Sequence, residues 1–497
     1  MISLSNLLDL WFPLPSDIAN VPVTNLELDS RRLQPGDVFC AIKGHQVDGR
    51  RFIDAAIQKQ AAAVLVEADQ KSEHGKVVIE SATAIIYFYD LPSYLSEIAT
   101  RLYPTRSIKL IGITGTNGKT TVTQLIAQWL TLLGKKAAVM GTTGNGFLDD
   151  LQVAGNTTGN PIEIAKTLYE LEQQGAEYCA LEVSSHGLVQ HRIKALHFDV
   201  SAFSNLSRDH LDYHDTMENY AEAKKSLFTE HKTQHSIINY DDETGQQWIK
   251  EGKLSNPSSI SLQGDNTDVD LYAHKIQYLN HGMAIEFSGR FGSGVLNAPL
   301  IGEFNASNLL LAFHCLLTLG FDQKILVNYA QKLSSVIGRM EIFHKIDTVK
   351  IVVDYAHTPD ALQKVLQALR HHCQGSVWAI VGCGGDRDKG KRPEMSRIAE
   401  QFSDYIILTD DNPRTESSQA IIQDMLLGLS HPDSVYIEHD RYQALWHAAQ
   451  HAKSNDIILL AGKGHEDYQI IGDQVIHYSD RESAQSVLEQ LSQVSLD

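Results

Sequence analysis

The sequence predicts an α/β protein of three domains, two of them built on doubly wound parallel sheets, and three observations lead there. The 497 residues give room for about three domains of ordinary size. Runs rich in Val, Ile and Leu recur with helical patterns between them, as expected of strands buried on both faces of a parallel sheet. A glycine-rich turn joins one such run to an amphipathic helix, at Gly115-Thr116-Asn117-Gly118-Lys119-Thr120.

Taken in chain order, residues 1–105 form a small N-terminal α/β domain. Its strand-like runs are Val38 to Ile42, Ala63 to Val66 and Lys76 to Ile79, with a turn signal at Pro35-Gly36-Asp37. Residues 106–337 form a central P-loop-type domain that opens with IKLIGITG and adds the strands YCALEVSS and FDVSAFSNLS. Residues 338–497 repeat strand and helix in KIVVDYAHTPDALQKVLQAL, SVWAIVGCGG, DYIILTD and DIILLAG, a Rossmann-like pattern. There is no fixed-period repeat and no low-complexity tract.

Composition narrows the function classes. With 43% hydrophobic and 21% charged residues, global disorder is excluded. The net charge of −19 disfavours a general nucleic-acid binder or a protein drawn to acidic membranes, and it suits a monomer. Small anions need only local bases, and these cluster at Arg31–Arg32, Arg50–Arg51 and Arg387 to Arg392. The five cysteines are odd in number and contain no C-x-x-C pair, which suggests reduced thiols and no zinc site. The start MISLSNLLDLWF lacks a basic region and carries Asp9, so no signal peptide is expected. No apolar run approaches the roughly 18 residues of a membrane span, so a cytoplasmic location is expected.

The phosphate loop is the strongest local signal. Strand Lys109 to Ile113 precedes it, and a helix with Val122, Leu125, Ile126, Trp129 and Leu133 on one face follows. Glycines let backbone N–H groups turn toward phosphate oxygens, and the helix N-terminus favours an anion. Lys119 can reach terminal phosphates, and the Thr120 hydroxyl can bind Mg2+. The strict pattern asks for glycine at position 113, where Ile113 stands, so the loop is a variant.

Glu182 ends the apolar strand YCALE, and His210 lies in LSRDHLDYH after another strand. Ligand sites form at such strand ends, and both residues are candidates for a hard cation beside the phosphates. The third block places four polar loops after strands: Asp354-Tyr355-Ala356-His357-Thr358-Pro359, Gly384-Gly385-Asp386-Arg387, Asp411-Asn412-Pro413-Arg414 and Gly462-Lys463-Gly464-His465-Glu466. Arginines suit carboxylate or phosphate and acids suit an ammonium, so four loops on one edge suggest a substrate pocket. The turns Asp29-Ser30-Arg31 and Gly44-His45-Gln46 show only loop chemistry.

Over essentially its whole length the chain resembles the Mur ligases, ATP-dependent amide ligases of peptidoglycan precursor synthesis. TGTNGKT from Thr114 is similar to that family's ATP loop, including the missing glycine, and Glu182, His210, Asn305, Asn308, Arg339 and Asp354 follow in matching order. Within the family, LDSR, GHQVDGRR, NTTG, EVSSHGLVQHR and DNPR resemble the members that add the third amino acid, with DNPR accompanying meso-diaminopimelate.

The resemblance implies that Leu28, Ser30, His45, Gln46 and Val47 hold the UDP part of UDP-MurNAc-L-Ala-D-Glu. Asn156, Thr157, Thr158, Ser184, Gln190 and Arg192 would hold its muramoyl-dipeptide. Gly115, Thr116, Asn117, Gly118, Lys119, Thr120 and Thr121, with Asn305, Asn308, Arg339, Asp354 and His357, would surround ATP. Arg387, Asp411, Asn412, Pro413, Arg414, Gly462 and Glu466 would bind diaminopimelate. Lys224 in AKKSLF matches the family's carbamylated lysine, so Thr120, Glu182, His210 and Lys224 would hold Mg2+, and Lys119 would act with them in catalysis. Two alternatives stay open: a folylpolyglutamate synthetase-like ligase, whose loop usually reads GKG where this chain has GKTT, and a P-loop NTPase that works as a switch or motor.

Overall fold

A computed structural model describes residues 2–44, 47–264, 269–279, 282–345 and 348–494. His45 and Gln46 lie outside the described residues. The chain divides into two compact units, Met1–Ser259 with Thr318–Gly320, and Ile260–Leu317 with Phe321–Asp497.

The first unit begins with a five-stranded sheet. Leu26–Glu27, Val38–Ala41, Ala63–Ala68 and Thr83–Tyr89 run parallel in that order, and Val77–Glu80 pairs antiparallel at the edge. Val38–Ala41 is buried at every position, which explains its unbroken apolar run. The central sheet follows. Ala137–Gly141, Tyr178–Glu182, Lys109–Thr114, His197–Phe203 and Lys232–Asn239 are parallel neighbours, and the short strands Gly144–Phe147 and Asp150–Gln152 extend one edge antiparallel.

Lys109–Thr114 is the first strand of this sheet in sequence and lies in its middle. The chain builds outward on one side through Tyr178–Glu182 and Ala137–Gly141, then on the other through His197–Phe203. Strand order therefore reverses around the C-terminal end of Lys109–Thr114, the crevice where such sheets bind ligands. Helix Lys119–Leu132 leaves from that end with Val122, Leu125, Ile126 and Trp129 fully buried. Leu133, expected on the same face, is the half-buried residue that caps the helix.

In the second unit, Leu271–Leu279, Gly282–Gly289 and Gly292–Ala298 form an antiparallel meander, and the buried helix Glu303–Thr318 follows. Its main sheet orders the strands Glu341–Phe343, Lys350–Asp354, Ile457–Ala461, Val377–Val381, Tyr405–Leu408 and Tyr436–Ile437, all parallel except the first. Successive side chains of a strand face opposite ways, and the two cores separate accordingly. Val352, Ala379, Leu408 and Leu459 pack with helices Pro359–His372, Lys391–Phe402 and Ser418–Leu426. Val353, Ile380, Ile407 and Leu460 pack with Arg441–His451 and Asp480–Val494. Helices on both faces make the sheet doubly wound, as its Val- and Ile-rich runs predict.

All five cysteines are free thiols. Cys40, Cys179, Cys315 and Cys383 are buried and Cys373 is half-buried. Among the described residues, no helix is long and apolar enough to cross a membrane.

Candidate active site

The phosphate loop closes as its sequence predicts. Gly115 adopts a φ of +144°, and a Cβ there would fall 2.0 Å from Ser204 Oγ, so only glycine permits the turn. Ser204 Oγ donates to Asn117 O at 2.6 Å, and Thr116 N donates to Asn205 O at 2.8 Å. Strand His197–Phe203 thereby braces the loop from its neighbouring edge. Lys119 Nζ donates to the carbonyls of Gly115 and Thr116, both at 2.9 Å. These contacts hold the ammonium beside the loop whose backbone would cradle phosphate.

Lys224 comes to the same carbonyl from helix Met217–Thr229, donating to Gly115 O at 2.8 Å with 1% of its surface exposed. Its Nζ stands 4.4 Å from the centre of the Tyr220 ring, whose hydroxyl lies 3.3 Å from Thr116 Oγ1. Burial, reinforced by the Lys119 charge, holds the Lys224 amine well below its usual range. The adjacent Lys225 instead pairs with Glu222 and Glu251.

Glu182 is buried at the end of its strand. Thr120 Oγ1 donates to Oε2 at 3.0 Å, and Thr142 donates its N–H to Oε1 at 2.9 Å and its hydroxyl to Oε2 at 3.2 Å. The strand Ala137–Gly141 leaves space for this carboxylate only because residue 141 is glycine, whose added Cβ would stand 2.1 Å from Glu182 Oε1. Thr142 was not singled out in the sequence, although it follows the same kind of strand end.

The oxygen donors Thr120 and Glu182 beside a phosphate loop fit a hard cation such as Mg2+. Lys224 as an ammonium does not fit as a ligand, but a carbamate on it would. His210 stands on a turn with φ of +53°, is 48% exposed in its side chain, and lies 3.5 Å from Asp209. Its ring meets His186 edge-on, with centres 5.0 Å apart. Among the described residues no group of three His, Cys, Asp or Glu has metal-holding spacing.

The residues expected to hold a muramoyl-dipeptide converge on the Glu182 strand end. Thr158 Oγ1 donates to Glu182 O at 2.9 Å and accepts from Ser184 N at 3.0 Å. Arg192 donates to Thr158 O and to Gln190 Oε1, and Thr157 Oγ1 lies 3.0 Å from Thr142 Oγ1. Asn156 is exposed beside them. Leu28 and Ser30 sit in the turn after Leu26–Glu27, where Lys59 Nζ donates to Ser30 O at 2.9 Å, and Val47 is exposed.

The remaining candidates belong to the second unit. Asn305 and Asn308 are buried on helix Glu303–Thr318 and bonded to each other at 3.3 Å. Asp354 accepts from Met340 N at 2.7 Å and Ala356 N at 2.8 Å, and burial raises its carboxyl above the usual range. Arg339 stacks 4.6 Å over the Tyr355 ring, and His357 Nδ1 lies 2.8 Å from Tyr355 O.

The last three polar loops of the C-terminal sheet meet. Arg414, with φ of +53°, donates Nη1 to Gly385 O at 2.9 Å and Asn412 O at 3.3 Å. Asn412 Nδ2 donates to Glu466 Oε2 at 3.2 Å, and Gly462 lies beside Asp411, its Cβ position 3.7 Å from Oδ2. Pro413 is buried, and Arg387 is exposed with Nη1 on Asp386 O. Lys463, read in the sequence only as part of its loop, is fully buried among Asp411, Asn412 and Glu466. Behind this cluster, Arg441 and Asp480 form a fully buried bidentate pair at 2.8 Å, and Arg441 also donates to Ala461 O at 2.6 Å.

Comparison with known proteins decides the family. The Mur ligase catalytic domain matches residues 22–103, the Mur ligase middle domain 113–316, and the Mur ligase glutamate ligase domain 338–464. The chain belongs to the Mur ligase family. A Mur ligase of Vibrio vulnificus, UDP-N-acetylmuramoyl-L-alanyl-D-glutamate--2,6-diaminopimelate ligase, is 58% identical over 488 residues, 98% of each chain. A solved Mur ligase structure of the same name is 34% identical with a TM-score of 0.73, covering 99% of both chains. Mycobacterium tuberculosis folylpolyglutamate synthase, solved with ADP and AMPPCP, shares 17% identity and a TM-score of 0.58 over 75% of this chain, a likeness of fold alone. The family is one of ATP-dependent amide ligases, so this Mur ligase is an enzyme of that class and the motor alternative falls away.

Proposed function

We propose that this Mur ligase adds meso-2,6-diaminopimelate to UDP-N-acetylmuramoyl-L-alanyl-D-glutamate, giving the UDP-MurNAc-tripeptide, ADP and phosphate for peptidoglycan synthesis. The observation that carries the reading is 58% identity, over almost the full length, to a relative named for that reaction. The distant folylpolyglutamate likeness adds nothing to the alternative. The reaction and the chain's composition suit a cytoplasmic enzyme without membrane insertion or a nucleic-acid partner.

A carboxylate is a poor electrophile and must be activated. The P-loop would hold ATP so that the substrate carboxylate attacks the γ-phosphorus and expels ADP, leaving an acyl-phosphate. The amine nitrogen then attacks the acyl carbon, the tetrahedral intermediate expels phosphate, and the nitrogen loses its proton. Lys119 supports the γ-phosphate, and Thr158, Ser184, Gln190 and Arg192 orient the dipeptide. Thr120 and Glu182, with His210 and a carbamate on Lys224, would hold Mg2+, which when bound would supply charge neutralisation. A neutral Lys224 amine is the form that reacts with carbon dioxide, and the burial described above favours it.

Arg414 is assigned to the distal carboxylate that distinguishes diaminopimelate from lysine. A half-buried guanidinium left without that carboxylate disfavours lysine by roughly 10^2-fold or more. The deciding measurement is phosphate release in UDP-MurNAc-L-Ala-D-Glu and ATP, with and without meso-diaminopimelate. Release should depend on the amino acid, and independent release would overturn the proposal.

A further inference from the structure

We infer that Lys463 is a positioning residue that sets the shape and charge of the amino-acid subsite before substrate arrives. The inference rests on the assignment of Asp411, Asn412 and Glu466 to that subsite. Lys463 has no exposed surface, yet it is a long cationic side chain, and such a group is rarely buried without a specific arrangement of partners. Its Nζ has three donors. They meet Asp411 Oδ1 at 3.4 Å, Asn412 Oδ1 at 3.4 Å and Glu466 Oε2 at 3.2 Å, one acceptor from each residue.

The ammonium thus takes one oxygen of each acid and leaves the other. Among the described residues Glu466 Oε1 is hydrogen-bonded only by the Tyr355 hydroxyl, at 3.5 Å. Among the described residues no hydrogen bond reaches Asp411 Oδ2, which lies 3.7 Å from where a Cβ on Gly462 would stand. The pair of acids plus Lys463 carries a net charge of −1, so one substrate ammonium brings the cluster to neutrality. Without Lys463 the two carboxylates would repel each other and the amine would find a site of charge −2 with no fixed geometry. Asn412, whose Oδ1 also accepts from Ile470 N at 2.9 Å, ties the same cluster to the strand Tyr468–Ile471.

The test is steady-state kinetics of the full-length enzyme, varying each of the three substrates in turn. Lys463→Met should raise KM for meso-diaminopimelate at least ~10-fold and leave KM for ATP and for UDP-MurNAc-L-Ala-D-Glu within about twofold. Lys463→Arg, which keeps the charge, should recover part of that loss. A merely structural lysine would move all three KM values together or lower only kcat, and either result overturns the inference. Should Lys463→Met fail to fold, as judged by thermal melting, Lys463→Gln takes its place with the same criteria. Wild-type enzyme that is inert toward meso-diaminopimelate but active with another cationic amino acid would sink the substrate assignment alone, and Lys463 is then judged against that amino acid.

Discussion

Single side chains offer the sharpest tests of the proposed chemistry. Arg414 is half-buried, and among the described residues only its Nη1 is hydrogen-bonded, which leaves the rest of the guanidinium for a substrate carboxylate, so its loss should disturb substrate recognition more than folding. Arg414→Ala is expected to raise KM for meso-diaminopimelate at least ~10-fold while ATP affinity, measured by calorimetry, stays unchanged. Lys224→Ala should abolish most activity, and short carboxylic acids added to the assay should restore part of it by supplying the missing anionic oxygens. Full activity in the untreated variant would remove Lys224 from the mechanism. Gly141→Ala places a methyl group 2.1 Å from Glu182 Oε1. The carboxylate must then shift, at a cost of about 1–3 kcal/mol, with kcat falling and melting temperature dropping by a few degrees.

Among the elements, those with a strong period were legible in the sequence. The strand, glycine turn and helix around Lys119 announce themselves because each obeys a local rule. The Val- and Ile-rich strands of the C-terminal sheet do so because burial on both faces leaves no polar positions. Thr142 and Lys463 were not legible, since the Glu182 partner of the first lies 40 residues away and two of the three partners of the second about 50, and only the closed sheet brings them together. Asp480 and Arg441 are a similar case, a buried pair joining two helices to the strand end that carries Gly462. Arg441→Met should destabilise the C-terminal sheet by roughly 3–5 kcal/mol in urea unfolding, because it leaves a buried carboxylate without its charge partner.

The loop Gly384–Gly390 is held from below by Arg392, whose guanidinium pairs with Glu416 and Asp424 and donates to Gly384 O. Its hydrogen bond to Arg392 lowers the Glu416 carboxyl to about 2. The support is therefore complete above about pH 4.5, the ordinary glutamate range, and is lost as pH falls from there through about 2. The protection of this loop against hydrogen exchange, corrected for the intrinsic pH dependence of amide exchange, should fall across that interval, and Glu416→Gln should remove the dependence.

For the whole molecule, the charge of −19 is compatible with the proposed anionic substrates through the placement of a few bases. Lys119, at the start of its helix, and Arg192, in a turn, stand in the first unit, and Arg387 and Arg414, in loops, in the second, against an otherwise acidic chain. Each unit also has cores of its own, around Leu65 and Phe203 in the first and around Leu459 and Leu460 in the second. Thermal unfolding should depart from a single two-state transition, with a calorimetric enthalpy larger than the van't Hoff value.

The buried thiols bear on how that unfolding can be watched. Burial pushes Cys40 and Cys383 up to about 12, and Cys179 and Cys315 are raised for the same reason. Folded, these sulfurs are shielded from alkylating agents and almost wholly protonated, so they stay silent. They are also distributed: Cys40 in the N-terminal sheet, Cys179 in the central sheet, Cys315 on helix Glu303–Thr318 and Cys383 after a C-terminal strand. The chain therefore carries its own clocks. The rate at which each thiol becomes labelled under pulsed alkylation reads how often its particular neighbourhood opens, with no probe engineered into the protein.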